Sequence, residues 1–147
     1  MRRRWIGVIM AGLIAAGGGA WAASKKDLTR RDSRAAVTVS VTYLNPLEKG
    51  AKDTLDFAVE MNTHSVDLDP LKVEELAVLR AGKAEVKPLG WSKPEGGGHH
   101  RSGVLRFPAK DASGKPLLPE RKGKIELRIK GVGSPGERVF AWELPVK

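Results

Sequence analysis

Val37-Thr38-Val39-Ser40-Val41-Thr42-Tyr43 alternates apolar residues with small hydroxyl residues, position by position. Successive side chains of a strand point to opposite faces, so this heptad predicts a half-buried strand. Its β-branched residues suit that conformation. Asn45-Pro46 ends the run, and Lys49-Gly50 lies in the following turn. The same period returns in Leu55, Phe57, Val59 and Met61, set against Asp56, Ala58, Glu60 and Asn62. A third, shorter strand is predicted over Leu76 to Arg80, closed by Ala81-Gly82-Lys83. A fourth, Glu85 to Trp91, is interrupted by Pro88, which marks an edge or irregular strand.

Gly103 to Phe107 makes a fifth strand, ended by Pro108. In the sixth, Ile125, Leu127 and Ile129 alternate with Lys124, Glu126, Arg128 and Lys130. In the seventh, Phe140, Trp142 and Leu144 alternate with Val139, Ala141 and Glu143. No segment beyond the N-terminus keeps a helical period over ten residues; Leu71, Val73 and Leu76 suit one short turn before the third strand. Short strands separated by turn signals predict an all-β fold over residues 36–147: an immunoglobulin-like antiparallel β-sandwich of about seven strands. A Greek-key barrel is the competing arrangement.

Upstream of the sandwich, residues 23–35 are charged and contain one large apolar residue, Leu28. Such composition buries little, so a flexible leader is expected. Further upstream, Arg2-Arg3-Arg4 precedes the uncharged run Trp5 to Ala20, which leads to Ala20-Trp21-Ala22. Charge, apolar run and small-x-small triplet in that order predict a signal-peptide helix over residues 1–22, ahead of the sandwich. A retained anchor is the alternative; the run is shorter than the roughly 20 residues of a spanning helix, and Gly17-Gly18-Gly19 weakens it. The expected location is periplasmic or extracellular.

Cleavage after Ala22 would leave 125 of the 147 residues, one domain in size, and lower the formal charge from +9 to +6. A basic exported domain favours anionic envelope polymers, anionic lipid or envelope proteins as partners. Export argues against nucleic acid, and no nucleic-acid motif is present. The chain has no cysteine, which excludes thiol catalysis, iron–sulfur clusters and cysteine-ligated zinc. A hydrophobic core must therefore hold the domain without disulfides.

The three histidines fall in two segments, Asn62 to Asp69 and Glu95 to Gly103. If consecutive strands alternate in direction, the loops after the second, fourth and sixth strands share one end of the fold. His64, Asp67 and Asp69 lie in the first of these loops, His99 and His100 in the second, and Gly131 to Glu137 forms the third. Imidazole with carboxylate suits a divalent transition metal such as zinc or copper, and His64, Asp67, His99 and His100 form the candidate set. Their spacing is not a known metal motif, and adjacent histidines in extended chain point apart. An anion-binding nest over Gly96-Gly97-Gly98 with Arg101 is a second reading. A third is structural: glycines at positive φ, with His64 pinning a neighbouring loop and Asp67 and Asp69 capping turns.

Other signals are weaker. Ser65, His64 and Asp67 supply the residue types of a hydrolase, but sequence neighbours rarely adopt triad geometry. Glu60, Glu74 and Glu75 are carboxylates without a partner motif. Trp142 reads as core and Trp91 as more open. Lys124, Arg128 and Lys130 read first as a solvated face and second as a polyanion stripe.

The strings Thr63 to Leu68, Gly96 to Phe107 and Arg138 to Leu144 resemble a family of small secreted or periplasmic bacterial β-sandwich domains of unknown function. The resemblance implies export and a sandwich, and brings no activity or catalytic residue. The combined expectation is an exported, non-catalytic binding or accessory module with a candidate metal site. The alternative is a structural or protein-interaction domain of the envelope with no metal.

Overall fold

The computed structural model describes residues 22–47 and 52–146. The expected signal peptide lies outside them, apart from Ala22. Among the described residues the elements run α1 (Lys25–Leu28), β1 (Thr29–Arg34), β2 (Val37–Tyr43), β3 (Thr54–Thr63), α2 (Val73–Leu76), β4 (Ala77–Ala81), β5 (Ala84–Val86), β6 (Gly90–Gly97), β7 (His100–Pro108), β8 (Gly123–Lys130) and β9 (Glu137–Leu144). One antiparallel sheet has the order β1-β2-β3-β7-β6 and the other β5-β4-β8-β9. With β1 set aside, β2-β3-β7-β6 facing β5-β4-β8-β9 reproduces the A-B-E-D and C′-C-F-G sheets of an immunoglobulin domain. The all-β sandwich is thus the observed fold, with nine strands where about seven were expected.

The two additional strands have separate origins. The first comes from the leader, which is ordered rather than flexible. Ser24 caps α1 and Asp27 completes a capping box, its carboxylate accepting from the Ser24 N–H at 2.9 Å. Leu28 is fully buried, and β1 pairs with β2 from Thr29↔Thr42 to Arg34↔Val37. Composition pointed to disorder because the segment buries little apolar area. Its arginines instead act as hydrogen-bond donors across the sandwich. Arg30 Nε donates to the Ala141 carbonyl at 2.9 Å, and Arg34 Nη2 to the Glu137 carbonyl at 2.9 Å.

The second additional strand comes from splitting the expected fourth. β5 pairs with β4, whereas β6 pairs with β7 in the opposite sheet. The chain changes sheets across Lys87-Pro88-Leu89, where proline has no N–H to give a ladder. Leu89 N donates to the Arg106 carbonyl at 2.7 Å, the first bond on the new sheet. β5 and β6 advance in the same sense, so strand parity survives the split.

The core fills the space between the alternating inner faces. Phe57 packs against Tyr43 at 5.1 Å, Trp142 at 5.3 Å and Phe107 at 5.8 Å between ring centroids. Trp142 is a core residue, and its indole N–H donates to the Leu28 carbonyl at 2.7 Å. Trp91 lies partly buried over Gly103, where a Cβ would stand 2.4 Å from the indole. Arg138 is buried at one end of the core. It donates to the Asp32 carboxylate at 2.9 Å and to the carbonyls of Asp32, Arg34 and Val132. The charge is thus paired and every contact is a charge-assisted hydrogen bond, as burial of a guanidinium requires.

Candidate functional site

The two histidine segments meet at one end of the sandwich. β3 and β7 pair through Asn62↔His100, and the Thr63 N–H donates to the His99 carbonyl at 2.9 Å. The loop after β8 reaches the same end, since a Cβ on Gly133 would meet the Ala35 carbonyl at 2.7 Å beside Val37.

The polar groups at this end are occupied by one another. His99 Nδ1 bonds the Val66 carbonyl at 3.1 Å and His100 Nδ1 bonds the Asn62 side-chain oxygen at 2.7 Å. The Val66 carbonyl can only accept, so the His99 ring donates to it from Nδ1. Asp67 accepts from the Asp69 N–H at 3.0 Å, a local Asx turn. His64 is exposed and makes no hydrogen bond to a described residue. Among the described residues, no group of three or more His, Cys, Asp or Glu is placed to hold a metal ion. Nor does any hydrogen bond between described residues link Ser65, His64 and Asp67.

The glycine run serves the β6–β7 hairpin. Gly97 pairs with His100, leaving Gly98 and His99 as a two-residue turn with positive φ at Gly98. That is the pattern of a type II′ hairpin. The Gly98 N–H, which an anion nest would present outward, donates to the Asp69 carboxylate at 2.7 Å. Arg101, the other expected anion ligand, turns to the carbonyls of Leu68, Asp69 and Leu71. The chain's own loop therefore fills the place of an external anion.

The basic stripe on β8 is likewise neutralised. Glu126 lies 2.8 Å from both Lys124 and Arg128, and Glu137 lies 3.3 Å from Arg128 and 3.8 Å from Lys130. Hydrogen bonds from Lys124 and then Arg128 hold the Glu126 carboxyl down at about 2.

The opposite end of the sandwich is open. A groove of about 880 Å³ runs between the sheets where β2 and β9 end and β3 begins. Leu28, Tyr43, Leu55 and Leu144 form its floor, and Ala23, Ala109, Leu118 and Val146 its walls. Lys52, Lys110 and Arg121 line it, and none of the three makes an ion pair with a described residue. Among the described residues, no Asp, Glu or His contributes to the lining.

Two features set the polar groups of the groove. Glu120 and Arg121 adopt φ of 52° and 58°, two successive non-glycine residues in the left-handed region, at about 1–2 kcal/mol each. Bonds of 3.0 Å from Arg121 N to the Leu118 carbonyl and from Lys122 N to the Pro119 carbonyl close this turn. The bend brings Arg121 to the groove and sends Glu120 outward to Lys122, 3.6 Å away. Burial pushes the Tyr43 phenol up to about 12, with the Arg121 charge acting in the opposite sense. Asn45 is held in place, donating to the Thr54 carbonyl at 2.6 Å and accepting from Asp56 N at 2.7 Å.

Sequence reading missed this groove because its lining comes from five separated segments, none with a motif. Fold and site together define an immunoglobulin-like β-sandwich with an apolar, cation-lined mouth. Comparison with protein-family models, with curated proteins and with solved structures finds no match. The resemblance drawn from the histidine strings therefore gains nothing from them and carries no residue role into the argument. No helix among the described residues is long and apolar enough to cross a membrane.

Proposed function

We propose that the protein is an exported, non-catalytic binding module whose ligand enters the groove between the sheet ends, beside Ala22 and Ala23. The observation that carries this reading is an apolar cleft of about 880 Å³ with a few polar groups converging on it. Small-molecule sites are of this kind, typically about 300–1,000 Å³ and mostly apolar. The non-catalytic part rests on the groove's polar groups: Lys52, Lys110, Arg121, a tied asparagine, Thr54 and a phenol held neutral well past neutral pH. These groups include no general base for neutral pH and no paired acid and base. The export part rests on the N-terminal Arg–apolar–small pattern.

The competing reading is an envelope interaction domain. The tied loops of the histidine end favour it, because they build a rigid surface. Recognition by strand addition is disfavoured, however. The β6 edge carries a register shift between Ser92 and Glu95, Lys93 at φ 49° and Pro94. Charge, proline and a bulge are the usual guards of an edge.

Amide chemical-shift mapping of the exported protein with 1-octanol, a neutral apolar probe, tests the groove. The expected shifts fall on Thr54, Leu55, Ala109, Leu118 and Leu144 and spare Asn62 to Leu68. Leu118→Trp, which fills the cleft, should weaken them. Absence of saturable shifts, or shifts at the histidine end alone, would remove the groove as the binding site. Intact mass of the exported protein checks cleavage before Ala23.

A further inference from the structure

We infer that the ligand of the groove is an amphipathic anion, a single alkyl chain ending in a carboxylate, and this rests on the groove being the binding site. Charge complementarity carries the inference. Among the described residues, three cations and no carboxylate line an otherwise apolar cleft, and none of the three is ion-paired to a described residue. On β8, by contrast, Lys124, Arg128 and Lys130 each lie against a glutamate. Leaving Lys52, Lys110 and Arg121 unmatched around an apolar floor sets aside positive potential for a charge brought by the ligand.

Three of the described acids near the groove's end are engaged elsewhere, while Asp53 and Glu143 make no ion pair with a described residue. Asp27 is consumed by the Ser24 cap, Asp111 accepts from Ser113 and Lys115 N–H groups in its own loop, and Glu120 faces Lys122. Arg121 reaches the cleft only because two non-glycine residues adopt the left-handed conformation, a strained arrangement retained where it positions a guanidinium. A guanidinium is suited to two-point recognition of a carboxylate, and the neutral Tyr43 hydroxyl adds a donor at the floor. The apolar floor of Leu28, Leu55 and Leu144 then accepts the chain.

Calorimetric and shift titrations of the exported protein with octanoate, decanoate and 1-octanol, all below micelle formation, separate the parts of this inference. Octanoate is expected to bind at least about tenfold more tightly than 1-octanol at low salt, with the advantage shrinking as salt rises. Decanoate should bind about tenfold more tightly than octanoate, two further methylenes being buried. In a Lys110→Gln/Arg121→Gln double variant the carboxylate's advantage should fall below about threefold; an unchanged thermal midpoint shows that the variant is folded. Equal affinity for octanol and octanoate overturns the anion inference and leaves the groove as a binding site. Binding of octanoate that Leu118→Trp does not weaken also overturns it, since the anion is then held on surface lysines. Failure of every probe removes both the inference and the groove.

Discussion

Single residues decide how each end of this sandwich behaves. Tyr43 is the chain's only tyrosine, so an ultraviolet titration of phenolate reads one group. Its folded value of about 12 lies above the ordinary 10, mainly through burial, so folding favours the neutral phenol. This contribution to stability is complete below about pH 10 and is lost as pH rises from 10 towards 12. The native protein should therefore ionise near 12 and the urea-unfolded chain near 10; a native transition near 10 would mean that the floor of the groove is wet. At the other end, Asp69→Ala removes the acceptor of the Gly98 N–H from an exposed bond and should cost about 1 kcal/mol in urea unfolding. Gly96→Ala should cost more. A Cβ there would stand 2.2 Å from the His100 carbonyl oxygen, on a backbone with φ of 73°. A larger loss from Asp69→Ala than from Gly96→Ala would show that the carboxylate, not the turn, holds the loops together.

At the scale of elements, the strands were legible where one face is buried and one is wet. β2, β3, β8 and β9 follow their period-two patterns through nearly their whole length, because each inner face is core. β1 escaped notice because its sequence, Thr-Arg-Arg-Asp-Ser-Arg, alternates nothing apolar. Its order comes from the backbone ladder to β2 and from arginines that reach across to β9, which local composition cannot reveal. The histidine end was legible in outline, since strand parity needs only a count of crossings. Its chemistry was not, because whether a carboxylate meets a metal, an anion or the Gly98 N–H depends on loop geometry. The role of β1 as a guard has a direct test. Arg30 and Arg34 cover the Ala141 and Glu137 carbonyls on the free edge of β9. Arg30→Ala/Arg34→Ala should lower stability by about 1–2 kcal/mol and expose that edge to pairing with another chain. Sedimentation velocity should then show concentration-dependent association; a variant that stays monomeric at high concentration and unfolds like the parent would sink the guard role.

Over the whole molecule, charge is divided along the strand axis. The groove end presents Lys25, Lys26, Lys52, Lys83, Lys110 and Arg121, all without ion-pair partners among the described residues. Among the described acids there, Asp53 and Glu143 make no ion pair. The histidine end instead presents Asp67, Glu74 and Glu95 among its exposed residues, and its half-buried Arg101 and buried Arg138 spend their donors on carbonyls and on Asp32. A polarised domain meets an anionic surface with one end first, because the long-range field orients it before contact. The net charge alone, which is all that composition gives, makes no such distinction. Two double variants with the same change in net charge separate the cases. Lys25→Glu/Lys110→Glu reverses charge at the groove end, and Lys72→Glu/Lys130→Glu reverses it at the histidine end. Retention on a cation-exchange matrix should fall much further for the first pair, since those side chains form the contacting face. Equal losses would mean that the matrix senses net charge only, and the groove would then lie on no preferred face.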